Sequence, residues 1–227
     1  MICRRNRRAS DCWRSRWNYR TEMTNSGGRY WDRTTELMPS ILACGEVAEF
    51  MKFALVGITG SGKSTLGKKL SAETSLPYFE LDGFFHNKDW VPTPIPEFKA
   101  KIEEILNENP TGWIIDGNYL SKLDGLVLDQ ADVVIWFNLS KRVVMYRIIK
   151  RSLHRVITRK RLWNGNRETL RTLVHPNPDI NVVLWAWSQY KNFQSIFAAH
   201  KVRAKSSQKW IELTKRSETW TILGSNQ

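Results

Sequence analysis

The chain has 227 residues, room for one large domain or two small ones, and is 41% hydrophobic and 25% charged, ordinary values for a globular protein. No apolar run reaches about 18 residues, so no membrane-spanning helix is expected, and the basic N-terminus lacks the apolar stretch of a secretory signal. The net charge of +13 and pI of about 9.9 suit an anionic partner, whether nucleotide, nucleic acid or anionic membrane.

In chain order, the first segment differs in composition from all that follows. Residues 1–50 contain nine arginines and no lysine, whereas the rest contains ten arginines and sixteen lysines. No helical or strand periodicity is evident before Met51. Trp31-Asp32-Arg33-Thr34 can be encoded by TGG GAT CGA ACC, whose reverse complement, GGTTCGATCCCA, fits the T-arm of a transfer RNA. The expectation is that the native start is Met51 and that residues 1–50 are non-native; a disordered basic arm or an Arg-rich transit peptide are the rival readings. The three cysteines, Cys3, Cys12 and Cys44, all fall in this segment. With no C-x-x-C pattern, and with His86, His154, His175 and His200 scattered, no zinc site is read, and a cytoplasmic, disulfide-free domain over 51–215 is expected, with a tail over 216–227.

From Met51 the pattern alternates. Lys52–Val56 reads as a buried strand and Lys63–Ala72 as a helix with Leu66 and Leu70 on one face. Tyr78–Leu81 is a short strand. Pro92, Pro94 and Pro96 interrupt the chain before a helix over Glu97–Leu106. Trp113–Ile115 and Val133–Phe137 are strands, and Lys141 to about Arg159 is a long basic helix. Arg161–Asp179 is polar, with Asn-Gly and two prolines, and reads as loop or lid. Asn181–Ala199 is an aromatic-rich helix and Trp210–Leu213 a fifth strand. Strands alternating with helices predict a parallel α/β sheet.

The run Gly57-Ile-Thr-Gly-Ser-Gly62-Lys63-Ser64-Thr65 lies between the first strand and the first helix. It matches the full phosphate-binding loop pattern G-x-x-x-x-G-K-[ST]. Glycines let successive backbone N–H groups turn toward phosphate oxygens, and the helix N-terminus adds partial positive charge. The expected phosphate contacts are Gly57, Thr59, Gly60, Ser61, Gly62, Lys63, Ser64 and Thr65. Lys63 would reach the β- and γ-phosphates of ATP, and the Ser64 hydroxyl would hold Mg²⁺. An acid at a neighbouring strand end is also needed, and Asp116, in Trp-Ile-Ile-Asp-Gly-Asn-Tyr, is the metal candidate. Asp82, in Phe-Glu-Leu-Asp-Gly, is read as ending the second strand. It is either the group that receives an acceptor proton or an ordinary cap or turn residue.

Arg147, Arg151, Arg155 and Arg159 recur every four residues and share a drifting helix face. Their planar forks suit a transferring phosphoryl group, with Arg147 and Arg151 the catalytic candidates; a solvated basic face or nucleic-acid binding by the helix are the alternatives. Arg161, Arg167 and Arg171 follow in the lid. Phe84, Phe85, Trp90 and Tyr119 flank the acidic turns and could line an acceptor pocket. Trp185, Trp187, Tyr190 and Phe193 read as core. Base stacking by Trp163 has no support from spacing.

Taken together, GITGSGKST, ELDGFF, WIIDGNY, ADVVIWFNLS, RIIKRSLHR and RLWNGNRE resemble the P-loop nucleotide-kinase group that includes adenylate kinases. They are nearer to a bacterial set labelled DNA topology modulation protein, FlaR-related. The resemblance spans about Met51 to Leu213. It implies a five-stranded parallel sheet in the order 2-3-1-4-5 as a three-layer P-loop sandwich with an arginine-rich lid, ATP on Gly60–Thr65, and Arg147 and Arg151 closing over the phosphates. Two arginines of adenylate kinases have no counterpart: this chain has Asn118-Tyr119 after Asp116-Gly117, and only Lys88, Lys99 and Lys101 between Leu81 and Pro110. Both departures argue against AMP as acceptor.

The expected function is therefore an ATP- and Mg²⁺-dependent kinase acting on a small molecule, a nucleotide, nucleoside or similar hydroxyl compound. The alternative is a nucleic-acid-associated, ATP-binding regulator, since residues 51–227 still carry +10, with 26 basic and 16 acidic residues. Neither a membrane partner nor an oligomeric state is read from the sequence.

Overall fold

The computed structural model describes residues 51–215; the leader with its cysteines, and the tail from residue 216, lie outside the described residues. The chain order is β1 (Lys52–Val56), α1 (Lys63–Thr74), β2 (Tyr78–Glu80), α2 (Leu81–Phe85), α3 (Ile95–Glu108), β3 (Trp113–Asp116), α4 (Leu126–Gln130), β4 (Val133–Phe137), α5 (Lys141–Ile157), α6 (Leu170–Leu173), α7 (Val182–Arg203) and β5 (Lys209–Leu213). Two single 3₁₀ turns, Lys88–Trp90 and Trp163–Gly165, interrupt the connections.

The strands form one five-stranded sheet in the order β2-β3-β1-β4-β5. Every pairing is parallel. The central strands are apolar along their length because both faces are covered, as parallel sheets require. Period-two alternation divides them. Ala54, Val56, Ile115, Val134 and Trp136 pack with Phe98 and Ile102 of α3 and Phe197 of α7. Phe53, Leu55, Ile114, Val133 and Ile135 turn to the other face, against Leu66 and Leu70 of α1. A third cluster joins Ile58 of the phosphate loop to Val144 and Ile148 of α5 and Ala186 and Tyr190 of α7, tying the loop to the long basic helix.

Parallel pairing brings the carboxyl ends of the strands to one edge, where such sheets bind ligands. Leu55 pairs with Asp116, and Asp116 with Glu80, so the loop after β1 and two carboxylates emerge at one level.

The structure moves several boundaries. β2 ends at Glu80, and Asp82 lies in the first turn of α2 rather than at the end of a strand. Pro94 precedes and Pro96 opens α3, where a proline's missing N–H costs nothing, so these prolines start the helix. The basic helix stops at Ile157: Arg159 takes the left-handed conformation, φ 48°, and Arg159 therefore leaves the face shared by the other arginines. The segment read as loop contains the Trp163–Gly165 turn and α6, whose N-cap Thr169 exchanges hydrogen bonds with Thr172. Asn181 caps α7 by accepting from the Val183 and Leu184 N–H groups. Trp187 of that helix is 58% exposed, with the Lys141 ammonium 3.5 Å from its ring centroid, so it is not core.

Candidate active site

The phosphate loop needs glycine where its backbone leaves ordinary conformations. Gly57 has φ +138°, and a Cβ there would sit 2.8 Å from the Phe137 carbonyl oxygen. Gly60 has φ +75°, and a Cβ would meet Ile148 of α5 at 2.5 Å. The loop is also held from outside. The Asn118 side chain accepts from the Gly57 N–H at 3.0 Å and its amide donates to the Gly57 carbonyl. One side-chain amide thus satisfies both backbone groups of the first loop glycine, across the gap between β1 and β3.

α1 begins at Lys63, directly after the loop. The Lys63 ammonium lies 3.8 Å from Asp116 and donates to the Ile58 carbonyl at 3.4 Å. The Ser64 hydroxyl is 2.7 Å from Asp116 and 2.8 Å from Glu80. It has one proton to donate, so three hard oxygens converge where one hydrogen bond can form. Tyr78 also donates to Asp116, at 3.1 Å. Asp116 is 3% exposed. Burial pushes its carboxyl above the usual range, and the Lys63 charge and Ser64 hydrogen bond act against that. Burial raises the Tyr78 phenol too, with the charges of Asp116 and Glu80 adding to it, so it stays a donor.

Hydroxyl plus carboxylate is the donor chemistry of Mg²⁺, which keeps several waters and binds through one or two carboxylates and substrate phosphates. Among the described residues no group of three or more His, Cys, Asp or Glu side chains is placed to hold a metal alone. Ser64 and Asp116, with Glu80 beside them, therefore fit an ion shared with a bound phosphate rather than an all-protein cage.

Three of the four spaced arginines turn inward. Arg147 donates to the Ser61 carbonyl at 2.8 Å, and Arg151 to the Thr59 hydroxyl at 3.1 Å, so both reach the phosphate loop from α5. Burial, with Arg155 nearby, pushes the Arg151 guanidinium down to about 10, so it remains cationic at neutral pH. Arg155 pairs with Glu168 instead, and the exposed Arg159 and Arg161 join neither.

Beyond the loop, Asp82 accepts from the Tyr119 hydroxyl at 2.7 Å. His86 Nε2 is 3.4 Å from the same hydroxyl. As a helix N-cap Asp82 fails, because the cap position is Glu80 and no side chain bonds there. Phe85 is buried and packs on Phe98 and Tyr119. The Leu162–Glu168 motif docks on this end. Trp163 Nε1 donates to Glu80 at 3.1 Å. Asn164 donates to the carbonyls of Gly83 and His86. Asn166 accepts from the Trp90 N–H at 3.1 Å and donates to the Asn87 carbonyl at 2.8 Å. Gly83 permits this approach, since a Cβ there would stand 3.1 Å from Trp163.

The structure places Lys63, Ser64, Asp116, Arg147 and Arg151 around the phosphate loop, and beside them stand four residues that the sequence reading did not single out. Glu80 was passed over for Asp82, although strand alternation in Glu80-Leu81-Asp82 marks both carboxylates as candidates for one face. Asn118 and Asn166 stood only inside the WIIDGNY and RLWNGNRE motifs, with no role of their own, and Tyr78 carried no signal, because their partners lie far away along the chain.

A parallel sheet in this order, with a glycine loop and Lys-Ser between its first strand and first helix, defines a P-loop nucleotide-binding fold. No family model matches the chain, and no curated protein matches it. Among solved structures, a shikimate kinase from Bacteroides thetaiotaomicron aligns at 12% identity and TM-score 0.44, over 76% of this chain and 94% of that one. A deoxyadenosine kinase from M. mycoides with bound dATP aligns at 16% identity and TM-score 0.46, over 76% of this chain and 95% of that one. Likeness at this level bears on neither acceptor nor activity, and neither structure bears on the topology-modulation resemblance.

Proposed function

We propose that the chain is an ATP-dependent P-loop phosphotransferase that passes the γ-phosphate of Mg-ATP to a hydroxyl of a small molecule. The observation that carries this reading is the convergence of Lys63, Ser64, Asp116, Arg147 and Arg151 on one glycine loop. In this reading the loop N–H groups and the α1 N-terminus bind the β-phosphate, and Lys63 spans the β- and γ-oxygens. Mg²⁺, held by Ser64 and Asp116, would neutralise charge on those oxygens when bound. Arg151 offsets charge developing on the transferring group, and Arg147 holds the loop beside it. Asp82 orients the acceptor hydroxyl and receives its proton, itself held by Tyr119. The docked Leu162–Glu168 segment covers the opposite side, where excluding water keeps the phosphate from hydrolysis.

The test is ADP release from Mg-ATP by the full chain across nucleosides, sugars, nucleoside monophosphates and DNA, with Lys63→Ala as control. Stimulation by a small acceptor, lost by about 10²–10³-fold in Lys63→Ala, is the expected result. Stimulation by DNA alone, falling steeply as salt rises, would favour the nucleic-acid-associated alternative instead.

A further inference from the structure

The cleft above the sheet edge is divided by charge. At the phosphate end stand Lys63, Arg147 and Arg151. The other end is walled by Asp82, His86, Trp90, Tyr119 and Trp163. His86 lies edge-on to Trp90 at 5.5 Å and at 27° to Trp163 at 6.4 Å, so three rings pack together beside the Tyr119 hydroxyl that donates to Asp82. Burial lowers the His86 imidazole below its usual value, outweighing the Asp82 charge, so it adds no cation at neutral pH. Of the arginines nearest this end, Arg155 pairs with Glu168, and Arg151 is turned to Thr59 on the phosphate side, within electrostatic reach of Asp82. Arg161 stands on the exposed rim, as does Lys122, whose ammonium lies 5.4 Å from the centroid of Phe85 behind His86 and Tyr119.

A wall of carboxylate, phenol, neutral imidazole and indole repels an anionic group and favours a ring bearing hydroxyls, which stacks on aromatic faces and donates to a carboxylate. We infer that the acceptor is a phosphate-free hydroxylated ring, a nucleoside or a sugar, and that this end of the cleft rejects the corresponding phosphate ester. The inference rests on the phosphotransferase reading for the reaction and on the wall for the specificity. In the step itself, the acceptor hydroxyl oxygen bonds to the γ-phosphorus of ATP as the bond from that phosphorus to the β,γ-bridging oxygen breaks. ADP leaves with that electron pair, and the acceptor proton passes to Asp82 and then to solvent.

The experiment uses the full chain saturated with a non-hydrolysable ATP analogue and Mg²⁺. Binding of matched pairs is titrated: each nucleoside against its 5′-monophosphate and each hexose against its 6-phosphate. In one pair at least, the phosphate-free member should bind about tenfold or more tightly. Which pair responds separates nucleoside from sugar. Equal or tighter binding of the phosphate esters, or no binding by any phosphate-free member, overturns the inference. Asp82→Asn, close to isosteric and checked for folding by its melting curve, should narrow the gap several-fold; an unchanged gap overturns the charge argument. ADP release with ATP is then measured on the same pairs. Preferential binding without transfer would sink the phosphotransferase reading and leave the specificity standing.

Discussion

Asn118→Ala isolates the clamp on the phosphate loop. The substitution removes both hydrogen bonds to Gly57, whose N–H and carbonyl are buried. A buried backbone group left without a partner costs about 1–3 kcal/mol. Asn118 is only half-buried, so water can replace part of what is lost, which places the total at about 2–3 kcal/mol. For a domain of this size each kcal/mol lowers Tm by about 2–4 °C, so melting should fall by roughly 4–12 °C. The freed loop must be reordered when phosphate binds, and Mg-ATP affinity should fall about fivefold, equivalent to about 1 kcal/mol. Differential scanning calorimetry and a nucleotide titration read the two effects. Asn118→Asp is the control. It keeps an acceptor for the N–H but sets a second oxygen against the Gly57 carbonyl, so it should be no better than alanine. A Tm within about 1 °C of the parent, with unchanged ATP affinity, would refute the clamp.

Arg151→Ala should cut turnover by about 10²–10³-fold while changing ATP affinity much less, because its contact strengthens as charge develops on the transferring group; an effect confined to affinity would make Arg151 a ground-state binder. Asn166→Ala, at a side chain 5% exposed that joins Trp90 to Asn87, should cost about 1–3 kcal/mol and speed amide exchange across residues 161–168; unchanged exchange there would show that the segment is held by other means. Glu212 is raised by burial, but hydrogen bonds from Asn138 and Lys201 and the Lys201 charge outweigh that and lower it. Its stabilisation is present above the unfolded carboxyl value of about 4.5 and is lost as pH falls through the lowered folded value. Glu212→Gln should therefore be destabilised by roughly 0.5 kcal/mol at pH 7, a small loss suited to an exposed pair, and match the parent in strong acid; a difference that persists in acid would refute the electrostatic account.

Much of the fold was legible because its signals are local. Apolar runs at Lys52–Val56 and Val133–Phe137 mark strands buried on both faces, and the glycine spacing from Gly57 to Gly62 marks a backbone that must curl. The errors were local too. Asp82 was assigned to a strand end because three residues of β2 are too few to show where alternation stops, and the helix at Leu81 begins without a capping side chain. Trp187 was assigned to the core because α7 is aromatic on several faces, and spacing alone does not say which face meets the sheet.

The sequence by itself determined the phosphate loop, Lys63 and Ser64, and the alternation of strands and helices, because each depends on residues within a turn or two of one another. Only the tertiary structure decided what surrounds that loop. Strand order and register set Glu80 beside Asp116, brought Asn118 to Gly57 across 61 residues, and aimed Arg147 and Arg151 back across 86 and 92. The same packing laid Trp163 against Glu80, 83 residues away. A hydrogen bond depends on distance and direction in space, and for residues so far apart in the chain these are set by the sheet and the helices packed on it.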